Sequence, residues 1–374
     1  MSDLSNRSLP FRTWLDQNRF RYAVLWNLDA PTAKNPLCPG DRHVIVLEDR
    51  AIQPADQHWG CRWRHPRNPY RVYSVNGENG TDYLGHPFLP TALAENLLAH
   101  TQQDASGLPM PAPRDRYDAL LYHLAYHLAE TSGADAEDPL AFRNSPWHTQ
   151  VRSAGEPLGL PYDLSLLDMH RWLKEHGYGF SAARRTAYLQ HQFKNRFKSA
   201  FYAFALCMEM ENQGEMNLFV LRSKIIRHGF RQRLLDEIAR HYTILAVRDI
   251  PWLTRLRKAR HMRGNKWRWG GWPVVAVVVF DPAPIWRTRA ERAQEHSFVL
   301  NSRQFFKREL REQIVQEGGL YHKHNAMHTT DNEAEAIGHL HLFFPPEAMQ
   351  EVFDRLAAAR SALDPSAPPN AFAP

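Results

Sequence analysis

The chain has 374 residues, with 46 Lys and Arg against 40 Asp and Glu, 43% hydrophobic residues, 11% aromatics and 23% charged residues. That length suits two domains at roughly 100–200 residues each. A mean hydropathy of -0.53 and the lack of any apolar run near the ~20 residues that cross a bilayer exclude an integral helical membrane protein. The opening MSDLSNRSLPFRTW holds no apolar signal core, so the expected location is the cytoplasm.

The three cysteines, Cys38, Cys61 and Cys207, lie far apart and supply neither a zinc knuckle nor a disulfide framework. A formal net charge of +6 suits an anionic partner, and nucleic acid, nucleotides, phospho-sugars or an anionic membrane face would all answer to it. Much of the excess falls in 255–268 (RLRKARHMRGNKWR), a basic stretch interleaved with tryptophan. It reads either as a solvated helix face or as a phosphate-contacting surface.

In chain order, 22–25 (YAVL) and 43–47 (HVIVL) are apolar runs bounded by Pro and Gly, as strands of one sheet would be. After 71–75 (RVYSV) comes NGENG, a turn signal. Apolar residues recur at helical spacing over 93–100 and 117–130, and 163–176 is an amphipathic helix ending at Gly177. His123 and His127 share a face of the second of these helices, as packed core histidines or as a metal-binding pair. Helices continue to about residue 207.

A polar turn at 211–216 then introduces a strand over 217–226, a helix over 230–241, a strand over 242–247, the basic helix, and a buried strand at 273–280 (PVVAVVVF). This alternation, closed by a last turn and helix, is an α+β pattern of the ferredoxin-like type. The tail beyond 363 is rich in Pro and Ala and is expected to be disordered.

One segment carries chemistry: Asn325-Ala-Met-His328-Thr-Thr330-Asp331, preceded by Gly318-Gly319 and followed by a helix over 333–344. An imidazole on a turn at a helix start is placed as a nucleophile, because helix N-terminal N–H groups favour phosphate oxygens around it. Neutral imidazole accepts a phosphoryl group near pH 7.

NAMHTTDNEAEAIGHLHLFFP resembles the end of the nucleoside diphosphate kinase family, whose hallmark is Asn-x-x-His-Gly-Ser-Asp before a helix with alternating Glu and Ala. LFVLRSKIIRHGF is similar to that family's first strand and the segment after it, and WPVVAVVVFD to its central strand. The matches fall in the family's order over roughly the last 150 residues. The resemblance implies a ferredoxin-like kinase domain over 211–362. His328 would be the phosphohistidine nucleophile, with Asn325, Thr330 and Asp331 beside it. Arg222, standing where the family has a lysine, and Arg311 would hold the phosphates. Trp267 or Trp269, from the basic Trp-rich segment that replaces the family's helical hairpin, would stack on the base. The family's glutamate against the imidazole is His339 here, and its glycine after the histidine is Thr329.

The N-terminal half, through RYAVLWNLDAP, PGDRHVIVLED and YDALLYHLAYHLAETSG, resembles nucleotidyltransferase-like domains of bacterial surface-polysaccharide loci. That implies an α/β region over 1–105 and a helical region over 106–210. The family's paired carboxylates reduce to Asp41, with His43 in the second place and Glu48 and Asp49 at the far end of the strand.

The expectation is therefore phosphoryl transfer through His328 from ATP or another nucleoside triphosphate to a nucleotide or phospho-sugar, in surface glycan metabolism. Mg²⁺ would be carried mainly on the substrate phosphates. The alternatives are a catalytically decayed nucleotide- or polyanion-binding protein and, from the basic stretch alone, a nucleic-acid-binding module. An oligomer is compatible with either.

Overall fold

A computed structural model describes residues 5–25, 43–59, 70–105, 107–181, 184–189, 205–206, 213–262, 271–318 and 327–363. Cys38, Asp41, Cys61, Cys207, Trp267, Trp269, Asn325 and the tail from residue 364 lie outside the described residues. The chain divides into two units, Met1–Ala187 and Tyr188–Pro374.

In the first unit, β1 (Tyr22–Val24), β2 (His43–Leu47) and β3 (Tyr70–Ser74) form a sheet in that order, β1 antiparallel and β3 parallel to β2. A parallel pair needs a crossover, and α2 (Ile52–Trp59) lies in the connection between β2 and β3. Phe11 and Leu15 of α1 (Ser5–Gln17) pack on Tyr22, Val24, Ile45 and Leu47, forming one apolar core with Ile52 and Ala55. Each such side chain taken from water contributes about 1.5–3 kcal/mol. Strands β4 (Thr101–Gln103) and β5 (Pro109–Pro111) pair antiparallel.

Helices α3 (Thr91–Ala99), α4 (Pro113–Tyr122), α5 (His148–Gly155) and α6 (Leu166–Glu175) also belong to this unit. The last begins later than the spacing predicts, because Ser165 caps it in an extended conformation with reciprocal bonds to Asp168. Gly177, just past it, takes φ +77°, a left-handed value that glycine adopts without a Cβ penalty. Beyond Tyr122 the chain continues as a π-helical turn, His123–Leu128, and brings Nδ1 of His123 to 3.0 Å from Nδ1 of His127. Both rings are buried, with Phe88 packed on each.

In the second unit, β6 (Glu215–Arg222), β7 (Thr243–Asp249), β8 (Pro273–Asp281) and β9 (Met327–Thr329) form a four-stranded sheet in the order β7-β8-β6-β9, every neighbouring pair antiparallel. The strand expected over 217–226 ends at Arg222, after a register shift between Leu221 and Arg222, and Ser223 opens the short helix α7 (Ser223–Arg227). Helices α8 (Arg231–His241), α9 (Trp252–Lys258), α10 (Arg289–Gln294), α11 (Phe306–Glu317), α12 (Glu333–Phe343) and α13 (Pro346–Ser361) follow.

Helices cover both faces of this sheet. Phe219 and Leu221 meet Leu234 and Ile238 of α8 and Leu310 and Ile314 of α11 on one side. On the other, Glu333 of α12 accepts the Met216 N–H at 2.9 Å, and the Arg360 guanidinium of α13 lies over the Phe280 ring. Every position of β6 and of β8 is buried, which requires cover on both faces.

Candidate functional site

The site forms where β6 ends beside the edge strand β9. His328 pairs with Val220 in the ladder, and directly paired residues project to the same face, as do residues two apart on one strand. His328, Val220 and Arg222 therefore share a face. α12 brings His339 to that face, its ring centroid 5.5 Å from that of His328. Lys307 and Arg311, one turn apart on α11, come up at the sheet edge. Nε of Arg311 donates to the Met327 carbonyl at 3.1 Å, and Nζ of Lys307 donates to Oδ1 of Asp331 at 3.1 Å.

The His328 ring is partly exposed, while its Nε2 is buried with no hydrogen-bond partner among the described residues. Burial, then the neighbouring His339 imidazole and the charges of Arg222, Lys307 and Arg311, hold its pKa well below the ordinary histidine value. It is a neutral imidazole at physiological pH. Arg222, only 3% exposed, is pushed down to about 10 by burial and by Arg311. Arg311 is also pushed down to about 10, chiefly by burial, with Asp331 opposing. Burial lowers Lys307, again against Asp331. Arg222 and Arg311 remain charged at neutral pH and, with Lys307 beside Asp331, place positive potential next to the imidazole.

His328, Arg222, Arg311 and Asp331 are thus brought together. Thr330 is not at this site: its hydroxyl accepts the Leu218 N–H at 2.9 Å and donates to Asn217 Oδ1 at 3.0 Å, tying β6 to the turn. Asn325 and Trp267 lie outside the described residues, and the basic stretch is described only to Met262. His328 belongs to a strand, not to a turn at a helix start. The start of α12 is capped by Asn332, whose side chain accepts the Glu335 N–H at 3.0 Å. The positive field at His328 comes from the three cationic side chains.

Two residues were not singled out in the sequence, Lys307 and Glu335. Lys307 stands four residues before Arg311, and the i,i+4 rule that places both on one helix face would have found it. Glu335 accepts the Asp331 N–H through Oε2 at 2.7 Å and stands four residues before His339 on α12. One ligand atom from each of His328, Glu335 and His339 lies within 4.8 Å of the others, so these residues are placed to share an ion. An all-oxygen cage for Mg²⁺ is not offered around His328 by the described residues: Asp331 is held by Lys307, and Glu335 is flanked by imidazoles. In the first unit, Glu48 is held by Arg21 and by Arg50 at 2.7 Å, and Asp49 accepts from Asn76, so both carboxylates already have partners.

No family model matches the chain, and comparison with curated proteins and with solved structures finds no match either. Among the described residues, no helix is long and apolar enough to cross a membrane.

Proposed function

We propose that the second unit is a phosphotransferase of the nucleoside-diphosphate-kinase-like, ferredoxin-like type, acting through His328. The imidazole lone pair attacks the γ-phosphorus of ATP or another nucleoside triphosphate, the bond to the bridging oxygen breaks, and the diphosphate leaves while a phosphorus–nitrogen bond forms. The phosphoryl group then passes to a nucleotide or phospho-sugar. The observation that carries this reading is the imidazole of His328 on the strand edge with Arg222, Lys307 and Arg311 grouped around it. Such cations stabilise charge on the equatorial oxygens of a transferring phosphoryl group. Mg²⁺ would arrive on the substrate phosphates.

The strand order, with the first strand between the third and the fourth and helices in the connections between them, supports the ferredoxin-like reading. A cytoplasmic setting and a role in surface glycan metabolism rest on the sequence resemblances and the nucleotide substrate. His339 in place of a carboxylate beside the nucleophile favours one alternative, a protein that captures nucleotide without transfer.

Incubation with γ-labelled ATP and Mg²⁺ decides between them. Transfer gives an acid-labile, base-stable phosphoprotein that His328→Ala abolishes. Nucleotide binding without any label from wild type replaces the phosphotransferase with the binding protein.

A further inference from the structure

We propose that His328, Glu335 and His339 form a binding site for a divalent first-row transition metal, with Zn²⁺ the best-fitting ion. The three ligand atoms converge within 4.8 Å. Two imidazoles and one carboxylate make a donor set that zinc favours when a fourth position stays open. The tautomer of His339 suits the role. Its Nδ1 lies 2.9 Å from the Glu335 carbonyl oxygen, which only accepts, so the proton is on Nδ1 and the lone pair on Nε2. A ligating histidine is commonly oriented in this way, by donating its other ring N–H to a carbonyl.

Glu335 engages the Asp331 N–H through Oε2, and its other carboxylate oxygen, Oε1, is buried. On His328 the buried Nε2 has no partner among the described residues. The scaffold is rigid on both sides, His328 in a paired strand and Glu335 and His339 one turn apart on α12. Arg222, Lys307 and Arg311 oppose a cation here, so the open coordination position is expected to carry an anion such as hydroxide, chloride or a phosphate oxygen.

The inference goes beyond phosphoryl transfer and stands without it, but it has a consequence for that reaction. A neutral imidazole has one basic lone pair. A metal on His328 takes that pair and leaves the other nitrogen as N–H, so metal and phosphoryl group exclude each other.

Co²⁺, a spectroscopic stand-in for Zn²⁺, tests the site in the full-length protein. One equivalent is expected to give the strong visible bands of a low-coordinate nitrogen and oxygen site, and Zn²⁺ to displace them. His339→Gln and His328→Gln should each weaken binding at least tenfold, while His341→Gln, outside the triad on the same helix, leaves it unchanged. Thermal unfolding without metal checks the fold of each variant. If His339→Gln lowers that midpoint, His328→Gln at its partly exposed strand position decides the test. Absence of the bands from wild type, or bands that persist in both triad variants, overturns the site. Labelling with Mg²⁺ alone is scored separately, so either inference fails without the other. Where both hold, Zn²⁺ blocks the label.

Discussion

Nζ of Lys307, near the start of α11, lies 3.1 Å from Oδ1 of Asp331, in the turn before α12. The two side chains keep only 11% and 15% of their exposure. Asp331 is the carboxylate that compensates Lys307 and opposes the depression of Arg311, so its charge holds the cationic edge of the site together.

Asp331→Asn is expected to lower the unfolding free energy by about 2 kcal/mol, below the ~3–5 kcal/mol of a fully buried pair because both partners retain some solvent. Urea titration measures it. Adding Lys307→Met should recover most of the loss, since the uncompensated charge is then gone. A neutral Asp331→Asn would assign the contact to the surface pairs, which contribute about 0–1 kcal/mol.

Glu215 gives the fold a pH dependence. Burial, with Glu333 and Asp281 nearby, pushes its carboxyl up to about 8, against hydrogen bonds from Asn301 and Asn217. In the unfolded chain the proton leaves near 4.5, so between these values the unfolded state binds fewer protons and stability falls as pH rises. Denaturation at about pH 5 and about pH 8 should show this loss in wild type and a smaller one in Glu215→Gln. An unchanged slope in Glu215→Gln would remove Glu215 as its source.

The depressed imidazole of His328 predicts the opposite limb. An unfolded histidine takes a proton near 6.5 while the folded one does not, so this residue's contribution to stability is lost as pH falls below that value. Its ring resonances in NMR should show no charge change near 6.5, where the unfolded histidine titrates. His123, pulled down to about 3 by burial and Arg71, should behave alike. A His328 shift titrating near neutrality would end the description of a neutral imidazole.

The sequence showed much of this sheet, because strand and helix periods differ and the runs at Glu215–Arg222 and Pro273–Asp281 are apolar at alternate or successive positions. The end of β6 was not legible: Ile225 and Ile226 look like strand residues, yet a register shift stops the ladder before them. His328, Arg222 and Arg311 could be chosen by residue type and resemblance. The hydroxyl of Thr330 could not, since only the ladder shows that it points at Asn217. The cluster in which Asn301 Nδ2 reaches Glu215 at 2.9 Å and Asp281 at 2.8 Å joins segments distant in sequence, and no local pattern announces such a meeting.

Strand β6 starts at Glu215, among buried carboxylates, and ends at Arg222, among cations. Seven residue steps of about 3.3 Å put these termini about 23 Å apart, beyond the roughly 7–10 Å within which substitutions usually couple. Substitutions at the two ends should therefore act additively. Removing the acidity of Glu215 reshapes the pH dependence of stability and leaves the surroundings of His328 untouched, so one strand carries two independently tunable electrostatic environments.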